Sequence, residues 1–460
     1  MTINRLTLQL EEIKTAFATE PNPTLAVRLD RIHRIEKMLM ANEEKICKAI
    51  SADFGIRHPN ETRVAELNLI YQACKYVRKN LKEWLKPRYI ATPSYLGAST
   101  AWITPQAKGV VGIISPWNYP IQLALIPAIS AFAGGNRVWL KPSEKSKRTS
   151  GFLAALIQEY FHPSEFCVIN GGTDIAEDFA ALPFDHLFFT GSPLTGKKVM
   201  KAASDNLTPV TLELGGKSPA IVDPSADLKE TAGCIIFGKL LNGGQTCIAP
   251  DYILINSADL IPFVEQLQIA AQSQFSRPQE LTGPINNAQL ERWQGLLQDA
   301  INKGANAIPL LKDVTNESRI FNPVVLTNVS IEALIMEEEI FGPILPIFAI
   351  SNVTDAVKFI NQLPNPLALY WFGKNKTNLQ QVLNETRSGG VTINETLLHA
   401  TQESLPFGGI GSSGMGAYHG KFGFDTFTHQ KPILNVRSRF GLGFLKGTKT
   451  VRPPYKNKKY

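Results

Sequence analysis

The sequence lacks the features that mark membrane and secreted proteins. Its longest mostly apolar stretch, residues 121–133, is interrupted by polar residues and a proline, and it falls short of the roughly 18 residues needed to span a membrane. The N-terminal stretch MTINRLTLQLEEIK carries acidic residues early and has no apolar signal core. We therefore expect no transmembrane segment and a cytoplasmic location.

Paired cysteines and clustered histidines are also missing. The five cysteines are odd in number and widely spaced, with no C-x-x-C pair, which argues against a disulfide framework and against a structural zinc site. The seven histidines are scattered and form no H-E-x-x-H motif. We expect no bound metal.

Charge is concentrated at one end of the chain. The net charge is +7, and eight of the 47 lysines and arginines lie in residues 437–460, which contain no acidic residue. The rest of the chain is close to neutral, so we expect no nucleic-acid partner. Residues 441–460 form a basic C-terminal tail. A tail of this kind is most often a solvated terminus, with weak contact to an anionic membrane surface as the alternative.

Short apolar runs alternate with helical patterns through most of the 460 residues. The periodicity predicts helices over 25–50 and 62–85, and from residue 109 strands and helices alternate regularly. Such alternation predicts βαβ units and an open parallel sheet, which binds ligands at the carboxyl ends of its strands. It resumes from residue 208, so we expect a second open-sheet α/β domain. The predicted strands are 109–114, 137–141, 166–170, 186–190, 208–214, 251–256, 324–326, 344–350, 368–372 and 390–393.

One cysteine stands in a context that favours chemistry. Cys247 follows Gly243-Gly244-Gln245-Thr246 and precedes Pro250. Glycines let the backbone approach a ligand closely, and proline fixes the exit from the turn. A cysteine held there could expose its sulfur in a cleft as a nucleophile, although a free cysteine is more often a small buried hydrophobe.

Other polar residues follow predicted strands. Glu213 ends an apolar strand before two glycines, where desolvation would raise its pKa and let it act as a base near neutral pH. Pairing with a nearby lysine is the commoner fate of a single glutamate. Lys141 and Glu144 follow the strand at 137–141 and could hydrogen-bond the two hydroxyls of a ribose.

Residues 189–198, FTGSPLTGKK, form a glycine turn that enters a predicted helix. The free N–H groups and the dipole of a helix N-terminus favour an anion. The turn approaches the G-x-x-x-x-G-K-[ST] motif of NTPases, but Lys198 stands where Ser or Thr would hold Mg²⁺, and a cation there would repel the metal. The ordinary dinucleotide motif G-x-G-x-x-G follows no predicted strand.

Seven motifs in the same order resemble those of the aldehyde dehydrogenase superfamily. They are PWNYP with Asn118, KPSE with Lys141, FTGS at 189–192, LELGGKSP with Glu213, GQTC with Cys247, EEIFGP with Glu339 and PFGG at 406–409. The resemblance covers essentially the whole chain except the basic tail. The short N-terminus and CIAPDY at 247–252 resemble the class 3 branch, and residues 53–55, 207–220 and 389–420 are similar to coniferyl aldehyde dehydrogenases.

The resemblance implies oxidation of an aldehyde to a carboxylate with NAD or NADP, through a thiohemiacetal and a thioester. It implies that Cys247 is the nucleophile, that the Asn118 amide and the Cys247 N–H hold the oxyanion, and that Glu213 is the base for the hydrolytic water. The implied cofactor contacts are Lys141, Glu144, Gly191, Ser192, Gly215, Glu339 and Phe341.

The substrate implied by the resemblance is coniferyl or another aromatic aldehyde, with a medium- or long-chain fatty aldehyde as the alternative. Candidates for the lining of the entrance are Tyr119, Leu123, Thr396 and Phe407. The resemblance also implies a homodimer. Two readings from other classes stay open, namely a non-catalytic binding protein of the same fold and a hydrolase that uses Cys247 without a cofactor.

The predicted fold class is α/β, with a Rossmann-like cofactor domain, a catalytic domain and a small β oligomerisation flap. Residues 1–87 and 104–213 are expected to form the NAD(P)-binding domain, and residues 214–397 the catalytic domain. The oligomerisation and bridging segments are expected at 88–103 and 398–440.

Overall fold

The computed structural model describes residues 2–93, 96, 99–312, 320–436 and 453. The described strands are β1 (Arg88–Ile90), β2 (Thr100–Ala107), β3 (Val110–Ile114), β4 (Arg137–Lys141), β5 (Phe166–Val168), β6 (His186–Gly191), β7 (Val210–Leu214), β8 (Pro219–Val222), β9 (Tyr252–Asn256), β10 (Asn306–Pro309), β11 (Val324–Thr327), β12 (Ile344–Ile350), β13 (Ala368–Phe372), β14 (Gly390–Ile393), β15 (Gly414–Met415) and β16 (Thr428–Asn435). The described α-helices are α1 (Thr2–Thr19), α2 (Leu25–Phe54), α3 (Pro59–Thr62), α4 (Asn68–Trp84), α5 (Gln122–Gly134), α6 (Lys147–Tyr160), α7 (Thr173–Ala180), α8 (Pro193–Ser204), α9 (Leu228–Leu240), α10 (Leu260–Gln274), α11 (Asn287–Asn302), α12 (Leu334–Glu337), α13 (Val353–Asn361), α14 (Lys376–Glu385) and α15 (Gly420–Thr426). Apart from Pro453, the predicted basic tail lies outside the described residues.

Most predicted elements are found, with shifts at their ends. The strands predicted at 137–141, 344–350, 368–372 and 390–393 are β4, β12, β13 and β14. The helix predicted to end at residue 50 continues to Phe54, where Gly55 adopts a φ of 76° and stops it. The helix predicted over 62–85 contains a π-helical turn, Arg63–Leu67, before α4 begins.

The first sheet has the strand order β15-β7-β6-β3-β4-β5. Its strands from β3 to β7 pair in parallel, and β15 adds antiparallel to β7. β3 is buried along its whole length, as a continuous apolar run predicts for a strand covered on both faces. α5 lies against β3 and β4 and buries every one of its residues.

The second sheet has the order β10-β11-β12-β9-β8-β13-β14. Its pairs are parallel except for the β10–β11 pair at one edge. β8 was not predicted, because its four residues follow the glycine turn after β7 so closely that they read as part of the same segment. The loop that carries Cys247 lies between α9 and β9, and Glu339 lies between α12 and β12.

A third, antiparallel sheet consists of β1, β2 and β16. The predicted fold class, two open α/β sheets with a small β unit, is confirmed by this arrangement. The predicted domain limits stay a prediction. β2 runs across the limit at residue 104, and β15, from the segment 398–440, joins the first sheet.

Candidate active site

Polar side chains collect at the carboxyl edge of the first sheet. Because β7, β6, β3 and β4 are neighbours and parallel, their carboxyl ends meet at one edge. Lys141 ends β4, Gly191 ends β6, and Glu213 is the penultimate residue of β7. Asn118 lies in the loop that follows β3. The fold therefore brings four of the predicted site residues to the same edge.

Cys247 is presented by a left-handed turn that follows α9. Asn242, Gly243 and Gly244 have φ values of 56°, 60° and 75°. A Cβ on either glycine would clash with a neighbouring backbone carbonyl oxygen, so both the left-handed φ and the close approach require glycine. The turn leaves Cys247 partly exposed between buried neighbours.

Gln245 holds this turn in place through hydrogen bonds with four residues. Its Nε2 donates to the carbonyl oxygens of Asn242, at 2.9 Å, and Gly283, at 3.0 Å. Its Oε1 accepts from the Ile285 N–H at 3.0 Å. Its carbonyl oxygen accepts from Asn118 Nδ2 at 3.0 Å. The predicted oxyanion donor is thus held directly against the backbone of the nucleophile turn.

A buried cluster supports the loop of Asn118 from behind. Arg57 forms ion pairs with Glu66, at 3.1 Å, and Glu61, at 3.2 Å. Arg57 Nη1 also donates to the Asn118 carbonyl oxygen at 3.3 Å. Glu66 Oε2 accepts from the Ile121 N–H at the start of α5, at 2.8 Å. A carboxylate at a helix N-terminus satisfies amide groups that have no partner within the helix.

A mostly apolar cavity of about 210 Å³ reaches Cys247 and Glu213. Tyr119, Leu123 and Phe407, three of the predicted substrate residues, line it. Aromatic and aliphatic walls with a few polar groups are typical of small-molecule sites. The cavity therefore gives an apolar substrate a route to the thiol.

Thr396 is placed differently from the other three predicted substrate residues. Thr396 is not among the residues that line the cavity, and its Oγ1 donates to the Cys234 carbonyl oxygen at 3.0 Å. It also packs against Gly238, where a Cβ would overlap the threonine side chain. The next residue, Leu397, has a φ of 63° and lines the cavity instead. Sequence position alone could not show which of the two faces the substrate.

Burial controls the protonation of the two groups at the centre of the cavity. Glu213 is 3% exposed, neither carboxylate oxygen has a hydrogen-bond partner among the described residues, and burial raises its pKa well above the usual range. Burial also raises the pKa of the Cys247 thiol, and the charges of Glu339 and Glu213 raise it further. The thiol is therefore protonated at neutral pH in this state.

The predicted adenosine-ribose residues form an ion pair. Lys141 Nζ lies 3.1 Å from Glu144 Oε2; the lysine is buried and the glutamate side chain is 42% exposed. Partial burial raises the pKa of Glu144, but a backbone N–H and the Lys141 ammonium together leave it below the usual value. Ser192 caps α8, its Oγ accepting from the Thr195 N–H at 3.3 Å. The helix begins at Pro193, three residues before its predicted start.

Glu339 is packed against Gly215. A Cβ on Gly215 would overlap the Glu339 carboxylate, and Glu339 Oε1 has no hydrogen-bond partner among the described residues. Burial, together with the charge of Asp251, raises the pKa of Glu339 to about 8. Phe341 lies edge-on to Trp117 with ring centroids 5.4 Å apart. Phe341 therefore lies beside the loop that carries Asn118, and Glu339 lies beside the turn after β7.

The family profile described as "Aldehyde dehydrogenase family" matches residues 9–433. The chain belongs to the aldehyde dehydrogenase family. It is 42% identical over 456 residues to a probable coniferyl aldehyde dehydrogenase of Pseudomonas aeruginosa, covering 98% of this chain and 94% of the relative. It is 38% identical over 459 residues to the 4,4'-diaponeurosporen-aldehyde dehydrogenase of Staphylococcus aureus, covering 99% and 98%.

A solved structure agrees with the fold of this aldehyde dehydrogenase. The substrate-bound state of Staphylococcus aureus AldH superposes with a TM-score of 0.92 at 37% identity, covering 98% of this chain and 97% of the other. The resemblance of the sequence to the superfamily and to its coniferyl members is thereby confirmed at the level of the family and its relatives. The protein is an oxidoreductase that acts on aldehydes.

Sequence reasoning missed two groups in the aldehyde dehydrogenase site. Tyr418 and His419 line the cavity, although both lay within the stretch 389–420 that carried the resemblance. Lys217 forms a buried ion pair with Asp251, whose Oδ1 accepts from the Ile340 N–H at 3.0 Å. This pair ties the glycine turn after β7 to the segment that carries Glu339. The motif LELGGKSP contained the lysine, but nothing in the sequence indicated its partner.

The described residues contain neither a metal-binding cluster nor a membrane-spanning helix. Residues 2–93, 96, 99–312, 320–436 and 453 contain no group of three or more His, Cys, Asp or Glu side chains arranged to hold a metal ion. Within the same ranges no helix is both long and apolar enough to cross a membrane.

Proposed function

We propose that this aldehyde dehydrogenase oxidises its substrate to a carboxylate with NAD⁺ or NADP⁺, through covalent attachment to Cys247. The observation that carries the proposal is that Cys247 and Glu213 line one apolar cavity, while Asn118 bonds the Gln245 carbonyl oxygen two residues before Cys247. A nucleophile, a base and an oxyanion donor are the three groups that acyl chemistry on a thiol requires.

In the first step Cys247 loses its thiol proton to solvent, its sulfur adds to the aldehyde carbon, and the carbonyl oxygen becomes the oxyanion of a thiohemiacetal. The Asn118 side-chain amide and the Cys247 N–H hold that oxygen. A donor of this kind contributes about 3–4 kcal/mol to the transition state. When bound, the nicotinamide supplies the acceptor for the hydride, and the sulfur is left as a thioester.

Glu213 completes the reaction as the base for hydrolysis. A carboxylate that is buried and free of hydrogen-bond partners has a raised pKa, so it accepts a proton readily near neutral pH. Water adds to the thioester carbon as Glu213 takes its proton. The C–S bond then breaks and releases the acid and the Cys247 sulfur.

The cofactor side fits a dinucleotide in three respects. Glu339 offers an unpartnered carboxylate oxygen, suited to the hydroxyls of the nicotinamide ribose. Lys141 and Glu144 lie together at the carboxyl end of β4, where an adenosine ribose would meet them. Gly191 and Ser192 lead into the N-terminus of α8, whose free N–H groups favour the pyrophosphate. On a 2′-phosphate the Lys141 ammonium would act attractively and the Glu144 carboxylate repulsively, so the proposal names both NAD⁺ and NADP⁺.

For the substrate we propose coniferyl aldehyde or a related aromatic aldehyde. The relative from Pseudomonas aeruginosa carries the name of that activity, and Tyr119 and Phe407 give the cavity flat apolar walls. A long apolar aldehyde is the second candidate. It is favoured by the name of the Staphylococcus aureus relative and by exposed apolar residues at the rim, Val64 and Leu398.

The decisive experiment compares kcat/KM for coniferyl aldehyde, benzaldehyde and decanal, with NAD(P)H formation as the readout. We expect coniferyl aldehyde to give the highest value; preference for decanal by tenfold or more would favour the second candidate. Cys247→Ala should abolish turnover, while Cys234→Ala, which removes a thiol outside the cavity, should keep it. Turnover that survives Cys247→Ala would refute the covalent mechanism.

We also propose a homodimer in the cytoplasm. Among the described residues β14 is an edge strand of the second sheet, and β1 is exposed along its whole length, with Tyr89 74% exposed. The unpaired N–H and C=O groups of an edge strand are a template for pairing with another chain. Light scattering coupled to size exclusion would test it, and a monomeric mass at micromolar concentration would contradict it.

The basic tail is proposed to touch anionic membrane surfaces weakly. Because β16 ends at Asn435, a truncation after Val436 removes the tail without cutting that strand. We expect the truncated protein to lose binding to phosphatidylserine vesicles at low salt. Unchanged vesicle binding would leave the tail as a solvated terminus.

A further inference from the structure

We propose that the hydroxyl of Tyr418 supplies a second hydrogen bond to the water that hydrolyses the thioester on Cys247. The inference rests on the proposed covalent mechanism and assigns a residue to its last step. Tyr418 lines the same cavity as Cys247 and Glu213 and is 1% exposed.

Three phenols lie close enough to the thiol for its charge to affect them. The charge of Cys247 contributes to the raised pKa of Tyr119, Tyr370 and Tyr418. Two of these hydroxyls are already engaged. Tyr119 bonds Thr246 Oγ1 at 2.6 Å, and Tyr370 donates to the Ile248 carbonyl oxygen. Those two tyrosines hold the nucleophile turn.

Tyr418 differs from the other two because no hydrogen bond to its hydroxyl is found among the described residues and the residue lines the cavity. A buried polar group without a partner is uncommon in a native structure. Glu213 is in the same situation, with both carboxylate oxygens unpartnered. Burial raises the pKa of Tyr418 first, and the charge of Glu213 raises it next. Both groups line the same cavity, and no hydrogen bond joins them among the described residues.

A water between them would satisfy both groups at once. Polar groups that face each other beyond hydrogen-bond distance are commonly bridged by water. The hydroxyl of Tyr418 would donate to, or accept from, this water while Glu213 accepts its proton. Water oxygen then bonds the thioester carbon, the C–S bond breaks, and the acid and the Cys247 sulfur are released. The hydrolysis needs no reactant other than this water.

The ring of Tyr418 is held firmly enough to orient a water. Its backbone N–H and C=O pair with those of Phe407 at 2.8 and 2.9 Å. The ring meets Phe188 edge-on, with centroids 5.1 Å apart, and Phe407 at 5.7 Å. The hydroxyl therefore has a fixed position relative to β7, which carries Glu213.

The test uses p-nitrophenyl acetate, which acylates a reactive cysteine without a nicotinamide cofactor. Tyr418→Phe should leave the rate and size of the p-nitrophenol burst unchanged and lower the later steady rate about tenfold, the value of one lost hydrogen bond. If acylation limits the native enzyme, the variant gains a burst that the native enzyme lacks. Intact mass should show the acetylated enzyme accumulating.

Turnover in the presence of hydroxylamine distinguishes a role of Tyr418 in deacylation from a purely structural role. Hydroxylamine attacks a thioester without needing a base, so it should restore the turnover of Tyr418→Phe toward that of the native enzyme. The matched control is Tyr71→Phe, which removes another unpartnered buried hydroxyl in α4, outside the cavity. Its ester kinetics should equal those of the native protein, and both variants should unfold at nearly the native temperature.

Two results would overturn the proposal in distinguishable ways. If Tyr418→Phe keeps the native ratio of burst to steady rate, or if both phases slow by the same factor, Tyr418 has no role in deacylation and the covalent mechanism stands. If the native enzyme neither releases p-nitrophenol nor reduces NAD(P)⁺ with any aldehyde, the covalent mechanism falls together with the role of Tyr418.

Discussion

Gly215 and the Glu339 carboxylate occupy adjoining space so tightly that no side chain fits between them. Glycine at this position is therefore a requirement of the carboxylate and not of the local backbone turn. The pair joins the end of the first sheet to the segment before β12 in the second. The proposed ribose contact depends on this packing.

Replacing Gly215 with alanine should displace Glu339. Because the added methyl group overlaps the carboxylate, we expect the KM for NAD⁺ to rise about tenfold, as for one lost hydrogen bond to a charged group, with a smaller effect on the KM for the aldehyde. The control is Gly295→Ala in α11, where no atom lies within 4 Å of the new methyl group. That change should leave the kinetics unaltered and add about 0.5–1 kcal/mol of stability. An unchanged KM for NAD⁺ in Gly215→Ala would remove Glu339 from the ribose site.

The pH dependence of deacylation should follow Glu213. Its carboxylate form is the active base, and burial raises its pKa, so the rate should rise with pH through a value above the usual range for glutamate. Steady ester hydrolysis measures this limb apart from the ionisation of Cys247 during acylation. Glu213→Gln should lower the rate by about 10²–10⁴ and remove the limb. A limb that persists in Glu213→Gln would assign the base to another group.

Cofactor preference should respond to Glu144. Its carboxylate, held by Lys141, would repel a 2′-phosphate on the adenosine ribose. Glu144→Gln should therefore raise the ratio of kcat/KM for NADP⁺ over NAD⁺ by about fivefold to tenfold, the effect of one charge at a partly exposed position. Glu385→Gln, at the exposed end of α14, is the control for a change of net charge. A ratio that moves equally in both variants would show a general electrostatic effect only.

Arg57 should be needed for stability as well as for activity. Its partner Glu66 would remain buried without a counter-charge in Arg57→Met, and breaking a buried ion pair costs about 3–5 kcal/mol. The Asn118 carbonyl would lose a donor as well. Arg277→Met removes an exposed ion pair with Glu280 and should change the free energy of unfolding by less than about 1 kcal/mol. Denaturant melts of the two variants give the comparison.

Much of the site could be predicted from local patterns in the sequence. Lys141 and Glu213 lie at the ends of strands whose apolar runs are plain, Asn118 lies in the loop after another such strand, and parallel strands bring these ends together. The pair Gly243-Gly244 predicts a turn with backbone angles that only glycine adopts readily. These signals are local, so they predict which residues lie at the edge without any knowledge of packing.

Side-chain direction and distant packing could not be predicted in the same way. Residues 337–339 are three consecutive acids, and no local signal separates them. Glu337 and Glu338 are exposed, and only Gly215, distant in the chain, explains why Glu339 is not. Leu397, which lines the cavity, was not predicted, because no local signal reveals its positive φ. Tyr418 is an aromatic residue in a glycine-rich stretch, where packing is the usual explanation.

Gln245 bonds Asn118 on the side of the first sheet and Gly283 and Ile285 on the side of the second. These hydrogen bonds join the parts of the enzyme that carry the two sheets at a point close to the Cys247 sulfur. Rotation of one part relative to the other would break bonds that hold the nucleophile turn. The position of Cys247 relative to Asn118 is therefore fixed by the fold, and we expect it to stay the same through each cycle of binding and release.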